Sequence, residues 1–255
     1  MTRVIKVGGR PQLDPSLCTA LARASLGAPG SIVVVHGGGD EVSTLQRLYG
    51  VESRFSGGRR VTSVLDLEII RMALSGSANK RLVASLVDAG VSAVGLSGED
   101  AALLVSDPLD PDHFGHVGVP SGVNVALLRL LLSGGYLPVL SPVSRSTDAA
   151  MGPTLNVNGD DAAAAIAVAL GAEELLLVSD VAGVLLEDQP VAILGPEDAQ
   201  RLIDDGTAKG GMAAKLQAGL AALNGGVQRV RISDIAAIEA VDRGTVLTQV
   251  GSMSA

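Results

Sequence analysis

Lys6 stands inside an apolar run and directly ahead of two glycines, in VIKVGGR at residues 4–10. The other lysines are Lys80, Lys209 and Lys215, in a chain whose 19 basic residues are otherwise arginines. An ammonium near the end of a core strand is costly to bury unless an anion accompanies it, the ordinary alternatives being a snorkelling stem or an ion pair. Beside Gly8 and Gly9, whose backbone can approach a ligand and turn N–H groups toward it, a phosphate is the economical partner. Lys215 follows two glycines in TAKGGMAAK. A helix beginning there holds it in the first turn, where the helix dipole disfavours a cation and a nearby anion would offset that. LNVNGDD, residues 155–161, sets Asn156, Asn158 and Asp160 at alternate positions. In an extended segment all three project to one side, which suits a polar substrate and the positioning of two lysines. A turn, or Asp160 as a helix cap, is the competing account.

The run HGGG at residues 36–39 suits a tight turn as well as an anion cradle. No GxSxG elbow accompanies it, so an esterase is excluded and His36 reads as structural. Neither GxxxxGK[ST] nor GxGxxG occurs, which removes the usual P-loop and dinucleotide fingerprints. In GGRRVTS, residues 57–63, Arg60 precedes a helix start. Its guanidinium could hold a carboxylate bidentately or simply be solvated at the surface.

These residues need a scaffold, and 255 residues are enough for one large core or two modest lobes. With 47% hydrophobic residues, 18% charged residues and 32 glycines, the composition describes an aliphatic core with glycine-rich turns and excludes disorder. A net charge of −8 argues against a general nucleic-acid or anionic-membrane surface, while one basic pocket for a small anion is compatible with it. The single Cys18 can form no internal disulfide, excludes a cysteine-based zinc site and points to a reducing compartment. The first apolar run is too short to span a membrane, and no signal peptide precedes it, so a cytoplasmic location is expected. The final GSMSA reads as a loose tail.

Buried strands are expected at VIKV, SIVVVH, SAVGLS, GYLPVLSPV, ELLLVSD and VQRVRIS. Helices are expected after RVTS, where Ser63 caps, Asp66 follows three residues on, and Leu67, Ile70 and Leu74 share a face. Others run through DDAAAAIAVALG, ending at Gly171, and through AAKLQAGLAALNGG. This alternation predicts an α/β fold with a mainly parallel sheet covered on both faces. Ligands gather at the carboxyl ends of such strands, where three glycine-bearing loops open on one edge. Residues 98 to 124 show no clear pattern and suit a hairpin excursion near the substrate.

Taken in order, IKVGG, VVVHGGG, GGRRVT, GSANK, AVGLSG, GHVG, GYLPV, LNVNGDDAA, LLLVSDVAGVL and KGGMAAK resemble the amino acid kinase family, and within it the acetylglutamate kinases, over nearly the whole chain. The resemblance implies an open αβα sandwich around a central, mainly parallel sheet, as a single domain over 1–255. About 1–155 would bind the acylglutamate and form a homodimer, and about 156–255 would bind ATP. By this similarity Lys6 and Lys215 match lysines that stabilise the transferring phosphoryl group, and Asp160 matches the carboxylate that organises them. Gly8, Gly9 and Gly38 would offer backbone N–H groups to phosphates. Gly38, Gly39, Arg60 and Asn156 match positions that hold N-acetyl-L-glutamate, with Arg60 on its α-carboxylate and Asn158 as a supporting contact. The segment Asp180, Val181, Ala182, Gly183, Val184 and Leu185, together with Thr207, Ala208 and Lys209, matches nucleotide-binding loops.

Such a reaction needs no general base, because a γ-carboxylate is already a charged nucleophile and catalysis reduces to alignment and charge neutralisation. Mg²⁺ would travel on the nucleotide phosphates with water as most of its remaining shell, and no protein metal ligand is named. Where the family usually has leucine, this chain has Arg59. The resulting doublet resembles kinases acting on N-succinylglutamate, so that substrate, or a carrier-linked glutamate or aminoadipate, is an alternative. A non-catalytic amino-acid or nucleotide sensor on the same fold is a further one, but it would predict loss of Lys6, Lys215 or Asp160. The chain starts almost at its first strand, without the extra N-terminal helix of arginine-inhibited hexameric members, which gives the expectation of arginine insensitivity.

Overall fold

Valine- and leucine-rich runs form strands buried on both faces, as parallel strands covered by helices require. Ile32–His36 and Glu174–Val178 are buried throughout, and Arg3–Val7 is buried beyond its first residue. The computed structural model describes residues 2–186 and 189–248, so the GSMSA tail lies outside the described residues. One eleven-stranded sheet organises the chain. Its order is Ile193–Leu194, Thr245–Leu247, Arg229–Ser233, Glu174–Val178, Arg3–Val7, Ile32–His36, Leu137–Ser146, Leu104–Pro108, Val117–Val123 and Thr154–Val157, with Ala93–Gly98 paired beside Leu137–Ser146.

Arg3–Val7 lies parallel to Ile32–His36 on one side and to Glu174–Val178 on the other. Val7 is level with His36 and Val178, so the loops that follow these three strands leave the sheet at one edge. Antiparallel pairs occur where Arg229–Ser233 meets Thr245–Leu247, Leu104–Pro108 meets Val117–Val123, and Leu137–Ser146 meets Thr154–Val157. All six runs expected as strands are strands of this sheet.

Strand alternation divides the core into two layers. Val4, Val33, Val35, Leu175 and Leu177 pack with the helices Gly159–Leu170 and Gly210–Asn224, through residues such as Ala163, Ile166, Leu216 and Ala222. Ile5, Val7, Val34, Leu176 and Val178 face the opposite layer, with Leu17 and Leu21 of the helix Pro15–Gly27 and Leu82 and Leu86 of the helix Asn79–Asp88. Lys6 shares the parity of Val4. Its side chain therefore leaves the sheet toward the layer that carries Asp160 and Lys215.

The helix after RVTS starts as expected, at Val64, with Ser63 and Asp66 forming a reciprocal capping box. From Arg71 to Ala78 the backbone widens into a π-helical stretch before α-helix resumes at Asn79. That widening brings Ser75 Oγ to 2.8 Å from Ser141 Oγ, and Asn79 Nδ2 donates to the Val139 carbonyl at 2.9 Å. Residues 98 to 124 do contain a hairpin, Leu104–Pro108 against Val117–Val123, joined through the short helix Pro111–Phe114. Its strands also extend the main sheet. Among the described residues no helix is long and apolar enough to cross a membrane.

Candidate active site

Lys6, Asp160 and Lys215 meet at the carboxyl edge of the sheet. Lys6 Nζ lies 2.9 Å from Asp160 Oδ1, and Lys215 Nζ lies 3.3 Å from Asp160 Oδ2. All three side chains are at most a tenth exposed. One carboxylate thus sits between two ammoniums, leaving the cluster with a net positive charge. Burial alone would raise the Asp160 pKa, but the two lysines more than reverse this and hold the carboxyl below its ordinary value. Burial and the neighbouring Lys6 push Lys215 below the ordinary lysine value, against the pull of Asp160. A buried site with surplus positive charge is built to receive an anion.

The segment that delivers Asp160 is not one extended strand. Thr154–Val157 is a strand, and Asn158 is the N-cap of the helix Gly159–Leu170, its Oδ1 accepting from Asp160 N at 2.8 Å. Asn158, not Asp160, is therefore the cap. Asp160 and Asp161 occupy the first turn, where the helix dipole favours carboxylates. Lys215 sits one turn deeper than its sequence suggests, because its helix begins at Gly210. Burial beside Lys6, more than the dipole, is what demands an anion there.

Two glycine loops form the wall beside the lysines. A Cβ at Gly9 would stand 3.4 Å from Gly39 N, so the loops after the first two strands nearly touch. Gly38 has φ +147°, and a Cβ there would strike Leu74 Cδ2 at 2.6 Å. Only glycine fits that turn. The Gly8 N–H donates to the Val178 carbonyl at 3.3 Å, so in this geometry it braces the loop against the neighbouring strand. His36 is fully buried, with Nδ1 2.9 Å from the Gly37 carbonyl and Nε2 3.1 Å from Asn79 Nδ2. Burial pushes its pKa down to about 4, so the ring is neutral near pH 7 and holds the turn in place, as its structural reading required.

The loops, lysines and the hairpin Phe55–Arg60 enclose a cavity of about 290 Å³. Gly8, Gly9, Gly38, Gly39, Arg60, Asn156, Asn158, Asp160, Lys6 and Lys215 all line it. Arg60 is buried there. One terminal nitrogen donates to Gln46 Oε1 and, at 2.9 Å, to Ser53 Oγ, and the other reaches the Gly39 carbonyl and Ser43 Oγ, each at 3.0 Å. The guanidinium also lies 4.6 Å from the centre of the Phe55 ring. Asn156 Nδ2 donates to Thr62 Oγ1 at 3.0 Å, which ties the last strand of the sheet to the segment after Arg60.

The expected nucleotide loops lie elsewhere on the same edge and do not line this cavity. Asp180 to Leu185 follow the strand Glu174–Val178, where Asp180 Oδ2 pairs with Arg10 at 2.9 Å. Val184 is buried in the core and its N–H donates to Thr245 Oγ1 at 2.8 Å, so it anchors the loop, while Leu185 is exposed. Thr207 and Lys209 are exposed, Ala208 is buried, and Lys209 is the residue before the Lys215 helix.

Two contacts escaped the sequence reading. Gln46 is fully buried and joins Arg60 to Asp66 of the capping box, a link across twenty residues that no local pattern reveals. Arg59 pairs with Asp161, and both are mostly buried. The consecutive aspartates of NGDD were the available signal, since a helix needs no second buried carboxylate for capping.

Comparison with known proteins gives the family. Residues 1–234 match the pattern described as the amino acid kinase family. Acetylglutamate kinase of Chloroflexus aurantiacus is 42% identical over 248 residues, covering 96% of either chain. That of Bacillus subtilis is 41% identical over 201 residues, covering 79% of this chain and 77% of its own. Among solved structures, smu.665 from Streptococcus mutans superposes with a TM-score of 0.85 at 28% identity, covering 97% of this chain and 98% of that one. Carbamate kinase from Giardia lamblia, at 13% identity and a TM-score of 0.74, shares the fold over 97% of this chain and 98% of its own. With a match to the family pattern over most of its length and a relative 42% identical over 96% of it, the chain belongs to the amino acid kinase family.

Proposed function

We propose that the protein transfers the γ-phosphoryl group of ATP to the γ-carboxylate of N-acetyl-L-glutamate, giving N-acetyl-L-glutamyl 5-phosphate and ADP in a step of arginine biosynthesis. Two buried lysines converging on one carboxylate beside two glycine loops carry this reading. The acetylglutamate kinases 40–42% identical over 96% of this chain supply the substrate.

In this mechanism a γ-carboxylate oxygen attacks the γ-phosphorus, the bond to the β–γ bridging oxygen breaks, and ADP leaves with that electron pair. No proton moves, which agrees with a site whose histidine is neutral and already engaged by Gly37 and Asn79. Lys6 and Lys215 neutralise charge on the phosphoryl oxygens, and Asp160 spaces them. Arg60 receives the α-carboxylate, a role supported by its place in the cavity wall and by hydrogen-bond partners that are all neutral, so its charge is not directly paired. The carboxylate would displace one or more of the acceptors Gln46, Ser53, Gly39 and Ser43. Gly38, Gly39, Asn156 and Asn158 frame the substrate, Gly9 offers a backbone donor, and Asp180 to Leu185 with Thr207 to Lys209 hold the nucleotide.

Among the described residues no three His, Cys, Asp or Glu side chains converge to hold a metal. A Mg²⁺ ion carried by the nucleotide phosphates would neutralise part of their charge. The substrate side falls to about residues 1–155 and the nucleotide side to the rest. A homodimer in the cytoplasm completes the reading, supported by exposed Val64, Leu65 and Met72 on the helical run that starts at Val64.

Trapping with hydroxylamine tests the proposal. ATP, Mg²⁺ and N-acetyl-L-glutamate are expected to yield the hydroxamate of the γ-carboxyl group, with ADP in equal amount. ATP hydrolysis without hydroxamate, or neither product, would sink it.

A further inference from the structure

Four cations line the 290 Å³ cavity: Lys6, Lys215, Arg60 and Arg59. If Proposed function holds, the first two meet the phosphoryl group and Arg60 meets the α-carboxylate. The remaining substituent on the substrate's α-carbon is the acylated nitrogen, and Arg59 is the one lining cation left to face it. Left alone, that guanidinium would recruit an acyl group ending in a carboxylate.

It is not left alone. Arg59 reaches from the hairpin Phe55–Arg60 to Asp161, in the first turn of the helix Gly159–Leu170, and its terminal nitrogen donates to Asp161 Oδ2. The Arg59 side chain is 24% exposed and that of Asp161 is 17% exposed. The pair also forms a partition. Arg59 lines the substrate cavity, and Arg59 and Asp161 together line a second groove of about 520 Å³. Beyond them, Ser121 apart, that groove is walled by apolar side chains such as Val119, Ala165, Val168 and Ala221. An acyl group longer than acetyl would meet the partition, and a charged one would meet a cation already satisfied.

We infer that the Arg59–Asp161 pair is a specificity determinant, neutralising and closing this wall so that the site selects a short, uncharged acyl group. Asp161 acts through Arg59 and touches no reacting atom, while Arg59 stands at the acyl end of the substrate. The arginine doublet, which by sequence alone pointed toward a succinyl group, is thereby reconciled with an acetyl substrate.

The test is kcat/KM for N-acetyl-L-glutamate and N-succinyl-L-glutamate, with ATP, on the full-length protein. The wild type is expected to favour the acetyl compound. Asp161→Asn frees the Arg59 charge and is expected to raise the succinyl-to-acetyl ratio by about 10–100-fold, the range for one charge-assisted contact. The double variant Arg59→Leu/Asp161→Asn is expected to return the ratio toward the wild-type value. Asp161→Ser carries the same expectation as Asp161→Asn should the latter not fold. A purely structural pair would lower both activities by one factor and leave the ratio unmoved, and that result overturns the inference. A wild type that prefers the succinyl compound also overturns it, while leaving the kinase chemistry intact. A wild type inactive on both substrates overturns the functional reading itself.

Discussion

Lys215→Ala is expected to lower kcat by about 10²–10³-fold, the scale for removing one preorganised charge-stabilising donor. The Michaelis constant for N-acetyl-L-glutamate is expected to change far less. Lys215 is held beside Asp160 and Lys6 before any substrate arrives, so its orientation is fixed in the resting protein. What changes during reaction is the charge it faces. As the phosphoryl group moves between two oxygens, negative charge spreads over its equatorial oxygens, and a fixed ammonium stabilises that arrangement more than the ground state. Steady-state kinetics separate the outcomes. A rise in the Michaelis constant with kcat intact would make Lys215 a ground-state binding residue and contradict the assigned role.

Asp160→Asn is expected to be as damaging, for a different reason. The carboxylate sits between two buried ammoniums, and removing its charge leaves Lys6 and Lys215 facing each other. Breaking a buried ion cluster in this way costs about 3–5 kcal/mol of folding stability. The pH dependence follows from the depressed Asp160 pKa. Its stabilising contribution is fully present above the ordinary carboxylate range, where the unfolded chain is also ionised. It is lost as pH falls through the lower folded value, because the folded state then takes up the proton last. Urea unfolding of both proteins across the acid range checks this: the wild type is expected to lose more stability than Asp160→Asn as pH falls. Equal midpoints near neutral pH, or parallel acid limbs, would contradict it.

Much of this site was legible in the chain because it depends on short-range rules. Strand periodicity puts Lys6 on the face of Val4, and the parallel register of three strands puts their glycine loops on one edge. The Ser63 and Asp66 capping box and the left-handed Gly171 that ends its helix are both local signals, and both are present. The contacts that escaped are long-range. Arg59 finds Asp161 across a hundred residues, and Gln46 links Arg60 to Asp66 through the fold of the hairpin against a helix. The π-helical stretch escaped because Leu67, Ile70 and Leu74 already satisfied an ordinary helical face. Lys215 was placed one turn too early because the two glycines ahead of it, poor helix formers by propensity, are themselves helical.

The central claim is that a substrate carboxylate attacks phosphorus directly, with lysines and backbone in place of a base. Phosphorus NMR of the reaction with N-acetyl-L-glutamate carrying ¹⁸O in its γ-carboxylate tests this most directly. The account predicts an acyl phosphate resonance displaced by ¹⁸O in the bridge between carbon and phosphorus. An acyl phosphate whose bridging oxygen is unlabelled, or label found only in the released carboxylate, would contradict it.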